Sequence, residues 1–203
     1  METTMTSMTK RLLWIPGALL LAGLLACGGG GGGSTPAPTP TATALAYTDP
    51  ASGTYLLKKD TALSSGSHLV LDLVGPATGT ATGVTLTLNA DTAKVTWVDV
   101  PAGGTTATLV QNGTQFNLGT GTPILKAKAS GTTLQATVAQ KAPTAAAPQN
   151  GVLLRVALDL KTTLALAQGT AITLTADGTK SQVLDGSGAI SAITVSVGTL
   201  TAQ

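Results

Sequence analysis

The chain has 203 residues, with 11 Lys and Arg, 9 Asp and Glu and a formal net charge of +2. Its charges are sparse, with no run of more than two basic residues, which excludes the clustered basic surface that nucleic-acid binding requires. One cysteine and one histidine exclude an internal disulfide and a zinc site, so the fold must rest on burial.

The first element in chain order is a leader. Lys10 and Arg11 precede an apolar stretch from Leu12 to Leu25, interrupted by Pro16-Gly17 and shorter than the ~20 residues of a spanning helix. Leu24-Leu25-Ala26-Cys27 closes it. That ending resembles the lipobox of bacterial lipoprotein signal peptides. The resemblance implies a signal helix over residues 1–26, cleavage before Cys27, and acylation of that cysteine as the membrane contact. Gly28 in place of aspartate is similar to lipoproteins sent on to an outer membrane or cell surface. Losing Lys10, Arg11 and Glu2 with the leader would leave nine basic and eight acidic side chains, a nearly neutral body.

Residues 27–44 read as a tether. Gly28 to Gly33 form a flexible coil, and Ser34 to Thr41 a stiffer Pro- and Thr-rich spacer, neither with apolar side chains enough to repay ordering. The glycines are not a phosphate loop, because no strand precedes them and no lysine follows nearby.

Residues 45–203 are rich in Thr, Val, Leu, Ala and Gly, types whose branched members favour strands. Leu69, Leu71 and Leu73 alternate with His68, Val70 and Asp72, and Val84, Leu86 and Leu88 alternate with Thr85 and Thr87. A strand over 94–100 contains Trp97. Shorter strands are expected near 108–110 and 115–118, then a hairpin from 124–129 and 132–140. Pro143 and Pro148 mark 141–150 as a loop. Residues 152–161 alternate most strongly, with Val152, Leu154, Val156, Leu158 and Leu160 on one face. Residues 162–168 read as a loop or one helical turn. Strands over 171–176 and 190–200 complete the set, separated by Asp177-Gly178 and Asp185-Gly186-Ser187-Gly188. About nine strands with closely spaced turns define an all-β, two-sheet sandwich. Lys126, Lys128 and Lys141 would guard its edges.

The order of elements resembles the cohesin and carbohydrate-binding-module superfamily of jelly-roll sandwiches. The segments that carry the likeness are Leu69-Val70-Leu71-Asp72-Leu73, Gly83 to Asp91, Gly151 to Leu158, and Asp185-Gly186 followed by Ile193 to Gly198. The resemblance implies a protein-binding or scaffolding module, with polysaccharide binding as the alternative. Sugar binding needs exposed aromatic rings. Tyr47 and Tyr55 are the candidates for glycan contact, since Trp97 and Phe116 lie in apolar strand patterns and are expected in the core.

Catalysis has little to stand on. His68 and Asp72 share a strand face, but lie roughly 13 Å apart by strand rise, too far for a base and its orienter. Asp49, Asp60, Asp91, Asp177 and Asp185 fall at turns, where aspartate bonds the backbone. Asp72, Asp99 and Asp159 fall on strands and are expected at the solvent face. The loops at Asp177 and Asp185 lack the dense oxygen ligands of a calcium site. The expectation is a non-enzymatic lipoprotein, without cofactor or metal, holding a protein partner outside the cytoplasm.

Overall fold

Alternating Thr, Val and Leu do form strands throughout the computed structural model, which describes residues 40–101, 103–120 and 122–203. The leader, Cys27 and the glycine run lie outside the described residues. In chain order the first strands are β1 (Leu45–Thr48), β2 (Tyr55–Lys59), β3 (His68–Val74), β4 (Thr80–Ala90), β5 (Val95–Val98) and β6 (Thr106–Ala107). Next come β7 (Val110–Asn112), β8 (Ile124–Ser130), β9 (Thr133–Ala139), β10 (Ala147–Pro148) and β11 (Val152–Leu160). The last are β12 (Ala171–Ile172), β13 (Leu174–Ala176), β14 (Gln182–Asp185), β15 (Ile190–Ala192), β16 (Val195–Ser196) and β17 (Thr199–Ala202).

They build an all-β sandwich. One sheet runs β16-β2-β3-β11-β7-β6, with β5 also paired to β11, and the other runs β15-β14-β4-β9-β8, with β10 and β13 also paired to β4. Leu57, Leu71, Leu154 and Leu158 from the first sheet share one core with Leu86, Leu88, Leu134 and Val138 from the second. Each such side chain contributes about 1.5–3 kcal/mol by leaving water. A third sheet, β1-β17-β12, adds Leu45, Tyr47, Ile172 and Leu200 to the same core.

The structure departs from the sequence reading in defined places. The run over 190–200 is divided among all three sheets as β15, β16 and β17. The strand expected at 108–110 is a hairpin, because Leu109 takes φ 66° and turns β6 into β7. Residues 115–118 form no strand, yet Phe116 and Leu118 are buried from that loop. Residues 162–168 take the loop alternative and form turns. In β11 the register slips between Val152 and Leu154, so Leu153 and Leu154 both enter the core. The expected tether over 27–44 also ends early: Ala42 is buried, Thr41 bridges Ala167, and the Ala42 N–H donates to the Leu166 carbonyl at 2.7 Å.

Candidate functional site

The two large sheets treat their outer faces differently. On the first, Val70 and Ala157 are 0% exposed, covered by Leu63, Val98 and Val100. Antiparallel register then stacks polar side chains on either side of that patch. Arg155 lies opposite Asp72 and Asp159 opposite His68.

Arg155 holds two carboxylates with one guanidinium. Its Nε is 3.2 Å from Asp60 Oδ2 and 2.9 Å from Asp72 Oδ1, and all three side chains are less than a fifth exposed. Nη1 also donates to Gln111 Oε1 at 3.3 Å and to the Asn112 carbonyl. Asp60 meanwhile caps its own loop, accepting from the Ala62 and Leu63 N–H groups. Asp72, expected at the solvent face, is therefore a part-buried member of an ion cluster. Burial pushes its carboxyl up to about 6; the guanidinium opposes this, and neighbouring Asp60 adds to it.

The sign of that shift gives a prediction. A carboxyl that binds its proton more tightly when folded contributes full stability below its unfolded value, near 4, and loses it as pH rises through about 6. Urea unfolding should show wild type losing about 2–3 kcal/mol relative to Asp72→Asn between pH 4 and pH 6.5. Parallel stability profiles for the two proteins would contradict this account of the cluster.

His68 does find an acidic partner, but it is Asp159 across the sheet rather than Asp72 along the strand. Its Nδ1 lies 2.6 Å from Asp159 Oδ1, and Nε2 is buried with no partner among the described residues. A nearby hydroxyl, Ser64 Oγ, is committed to the backbone of Val70 on both its donor and acceptor sides. The pair serves as a cross-strand polar contact.

The two tyrosines correct the glycan expectation. Tyr47 is 9% and Tyr55 7% exposed. The Tyr47 hydroxyl donates to the Leu57 carbonyl at 2.8 Å and accepts from the Gly198 N–H at 2.7 Å. The Tyr55 hydroxyl donates to Gln149 Oε1 at 2.5 Å. Burial raises both phenols, that of Tyr47 to about 12. Neither ring presents a face to a sugar. Trp97 and Phe116 lie in the core as expected.

The second sheet carries the open surface. Its outward positions fall into rows fixed by register. Lys126, Thr137, Thr85, Gln182 and Ala192 make one row, and Ile124, Ala139, Gly83, Leu184 and Ile190 make the next. Thr85 and Thr137 hydroxyls bond across the strands at 3.0 Å, and the Thr133 hydroxyl donates to Asn89 Oδ1 at 2.6 Å. The apolar row is the unusual feature. Ile124 is 39% and Ile190 68% exposed, while Gly83 and Ala139 between them leave a shallow depression of about 180 Å³. Gly83 is required there, because a Cβ would lie 2.8 Å from that of Ala139. Lys126 and Lys128 stand exposed along the β8 edge. Sequence showed the polar alternation of β4, but the apolar row exists only once five strands are in register.

Comparison with known proteins gives likeness at the level of solved structures only. Neither a protein-family model nor a curated protein matches this sequence. The chain is similar to the second type II cohesin module of the adaptor scaffoldin ScaA of Acetivibrio cellulolyticus, with 14% identity, a TM-score of 0.49, and 77% of this chain and 94% of that one covered. It is similar to the sixth cohesin of scaffoldin B from the same organism, a structure in complex with a Cel5 dockerin. There the values are 15% identity, a TM-score of 0.47, and 73% and 97% coverage. A cohesin module from a family 33 glycoside hydrolase of Clostridium perfringens gives 10%, 0.40, and 76% and 92%.

Proposed function

We propose that this protein is a non-catalytic, protein-binding module that presents the outer face of its β15-β14-β4-β9-β8 sheet to a partner outside the cytoplasm. The observation that carries the reading is the asymmetry of the two sheets. Loops and an ion cluster cover the first, while the second exposes a flat Thr- and Gln-lined surface crossed by an apolar row. A rigid sheet face of this kind binds without paying to order itself.

The composition of the face defines the partner. Ile124, Leu184 and Ile190 call for apolar side chains seated over Gly83 and Ala139. Lys126 and Lys128, with no carboxylate in their two rows, call for acidic residues on the partner, which would steer its approach. Acylation at Cys27 and the tether that follows it would keep the module at a membrane surface, on the outer membrane or cell exterior. Mass spectrometry of the native protein should find an acylated amino-terminal Cys27; an intact leader would refute the anchor.

Ile190→Asp tests the face. It places a charge on the most exposed residue of the apolar row, at its β15 end, while leaving the core untouched, and should weaken capture of the native partner about tenfold or more. Lys126→Glu should act mainly on the association rate and its salt dependence. Undiminished capture by both variants would refute the assignment.

A further inference from the structure

Of the edges of the two large sheets, one stands unguarded. β8 carries Lys126 and Lys128, while β6 and β16 present only two residues each. β15 is paired on one side alone, to β14. It contains neither charge nor proline, and residues 186–192 are all exposed. The nearest carboxylate, Asp185, is turned back into its own loop, accepting from the Ser187 N–H and hydroxyl and from the Ala189 N–H. A strand edge left in this state is a template for another strand.

Register decides which backbone groups are free. The Asp185 N–H donates to the Ala189 carbonyl at 3.0 Å and the Ile193 N–H to the Ser181 carbonyl at 2.9 Å, with Val183 opposite Ser191 between them. Bonded pairs therefore fall at Ala189, Ser191 and Ile193, and antiparallel alternation turns the N–H and C=O groups of Ile190 and Ala192 away from β14. That set is its own complement. A second β15 laid antiparallel about Ser191 brings Ile190 of each copy opposite Ala192 of the other, so every outward N–H meets an outward carbonyl. Ile190 and Ala192 also share the outer face of the sheet, so the exposed isoleucine packs on the other copy's small alanine.

We propose that β15 pairs antiparallel with β15 of a second copy of this chain, joining the two exposed sheets into one continuous surface. A second copy is the occupant because the free backbone groups satisfy one another about a two-fold axis, and no side chain along the edge demands an opposite charge. Three residues a side fall far below the ~20–30 per partner of a standard interface, so the association is weak and concentration-dependent. The pairing is separate from the protein-binding reading: it uses the edge of the sheet, whereas partner capture uses its face, although Ile190 borders both.

Disulfide trapping tests it in the purified full-length chain in detergent, oxidised with copper phenanthroline. On the axis, Ser191 would face its own copy as a non-bonded pair with Cα atoms ~4.5 Å apart, within reach of a disulfide. Ile190 and Ala192 would lie two residues out of step with their own copies, beyond the ~7 Å limit. Ser191→Cys should therefore give a dimer linked through position 191, identified by peptide mass, at a rate that rises with protein concentration. Ile190→Cys and Ala192→Cys, at positions that are also exposed, should give no more than the Cys27 background of wild type. Adding Ala192→Pro removes an outward N–H that β14 does not use, and Ala192→Lys charges the edge as Lys126 and Lys128 charge β8. Each should abolish the linked dimer in a chain that still folds, while capture of a partner by the Ala192→Pro chain reads the binding face independently. Equal trapping at positions 190, 191 and 192, no product linked through 191 at the highest concentration reached, or trapping that survives both Ala192 variants would overturn the proposal.

Discussion

Arg155→Met is expected to remove about 2–4 kcal/mol of folding stability, because it strands two largely buried carboxylates that share one guanidinium. Asp60 and Asp72 are each less than 15% exposed, so neither recovers its hydration when the cation leaves. Methionine keeps the stem's packing, which confines the loss to the charge. The partner variants sharpen the test. Arg155→Met combined with Asp72→Asn should regain part of the loss, since only Asp60 then remains charged beside the gap. Denaturant unfolding of the two single variants and the double variant gives the coupling directly. A single variant within about 1 kcal/mol of wild type would mean that the cluster is hydrated and surface-like.

Gly198→Ala is expected to be as damaging for a different reason. A Cβ at Gly198 would overlap the Thr48 carbonyl oxygen and press on the Tyr47 ring. Both neighbours are fixed: Thr48 belongs to the β1–β17 ladder, and the Tyr47 hydroxyl is tied to Leu57 and to Gly198 itself. Relief requires the chain between β16 and β17 to move, breaking the Gly198–Tyr47 bond. The loss should reach about 3 kcal/mol or more, above the usual range for one added methyl in a core. Thermal unfolding measures it, and an unchanged midpoint would show that this corner yields without strain.

These positions also mark what a sequence can and cannot disclose. β3, β4 and β11 are legible because apolar and polar residues alternate over seven residues or more, a pattern that only a half-buried strand explains. The bulge at Leu153 breaks such an alternation without leaving a glycine or proline to announce it. The division of 190–200 into three sheets is hidden for the opposite reason: Ile190 to Leu200 keeps one continuous strand-like composition across its bends. β14 was missed because Gln182 to Asp185 is short and flanked by Asp-Gly turn signals that also fit a loop.

The site was legible only in part. Of the polar outward positions on β4, Thr85 was visible, but the apolar row needs Gly83 aligned with Ala139, Leu184, Ile124 and Ile190. Tyr47 and Tyr55 read as exposed because they precede the strong strands. Their burial depends on Leu57, Gln149 and Gly198, and Gly198 lies 151 residues away in the chain. The Arg155 cluster was hidden likewise, with partners on β3 and in the Asp60 loop.

The central claim is that one face of this sandwich, and not the other, meets a protein. A photo-reactive amino acid placed at Thr85, in the exposed sheet, and separately at Thr96, on the outer face of the other sheet, tests it in cells that make the full chain. The account predicts a discrete protein adduct from position 85, absent from position 96 and lost when Ile190→Asp is added. Equal adducts from both positions, or an adduct at 85 that survives Ile190→Asp, would contradict it.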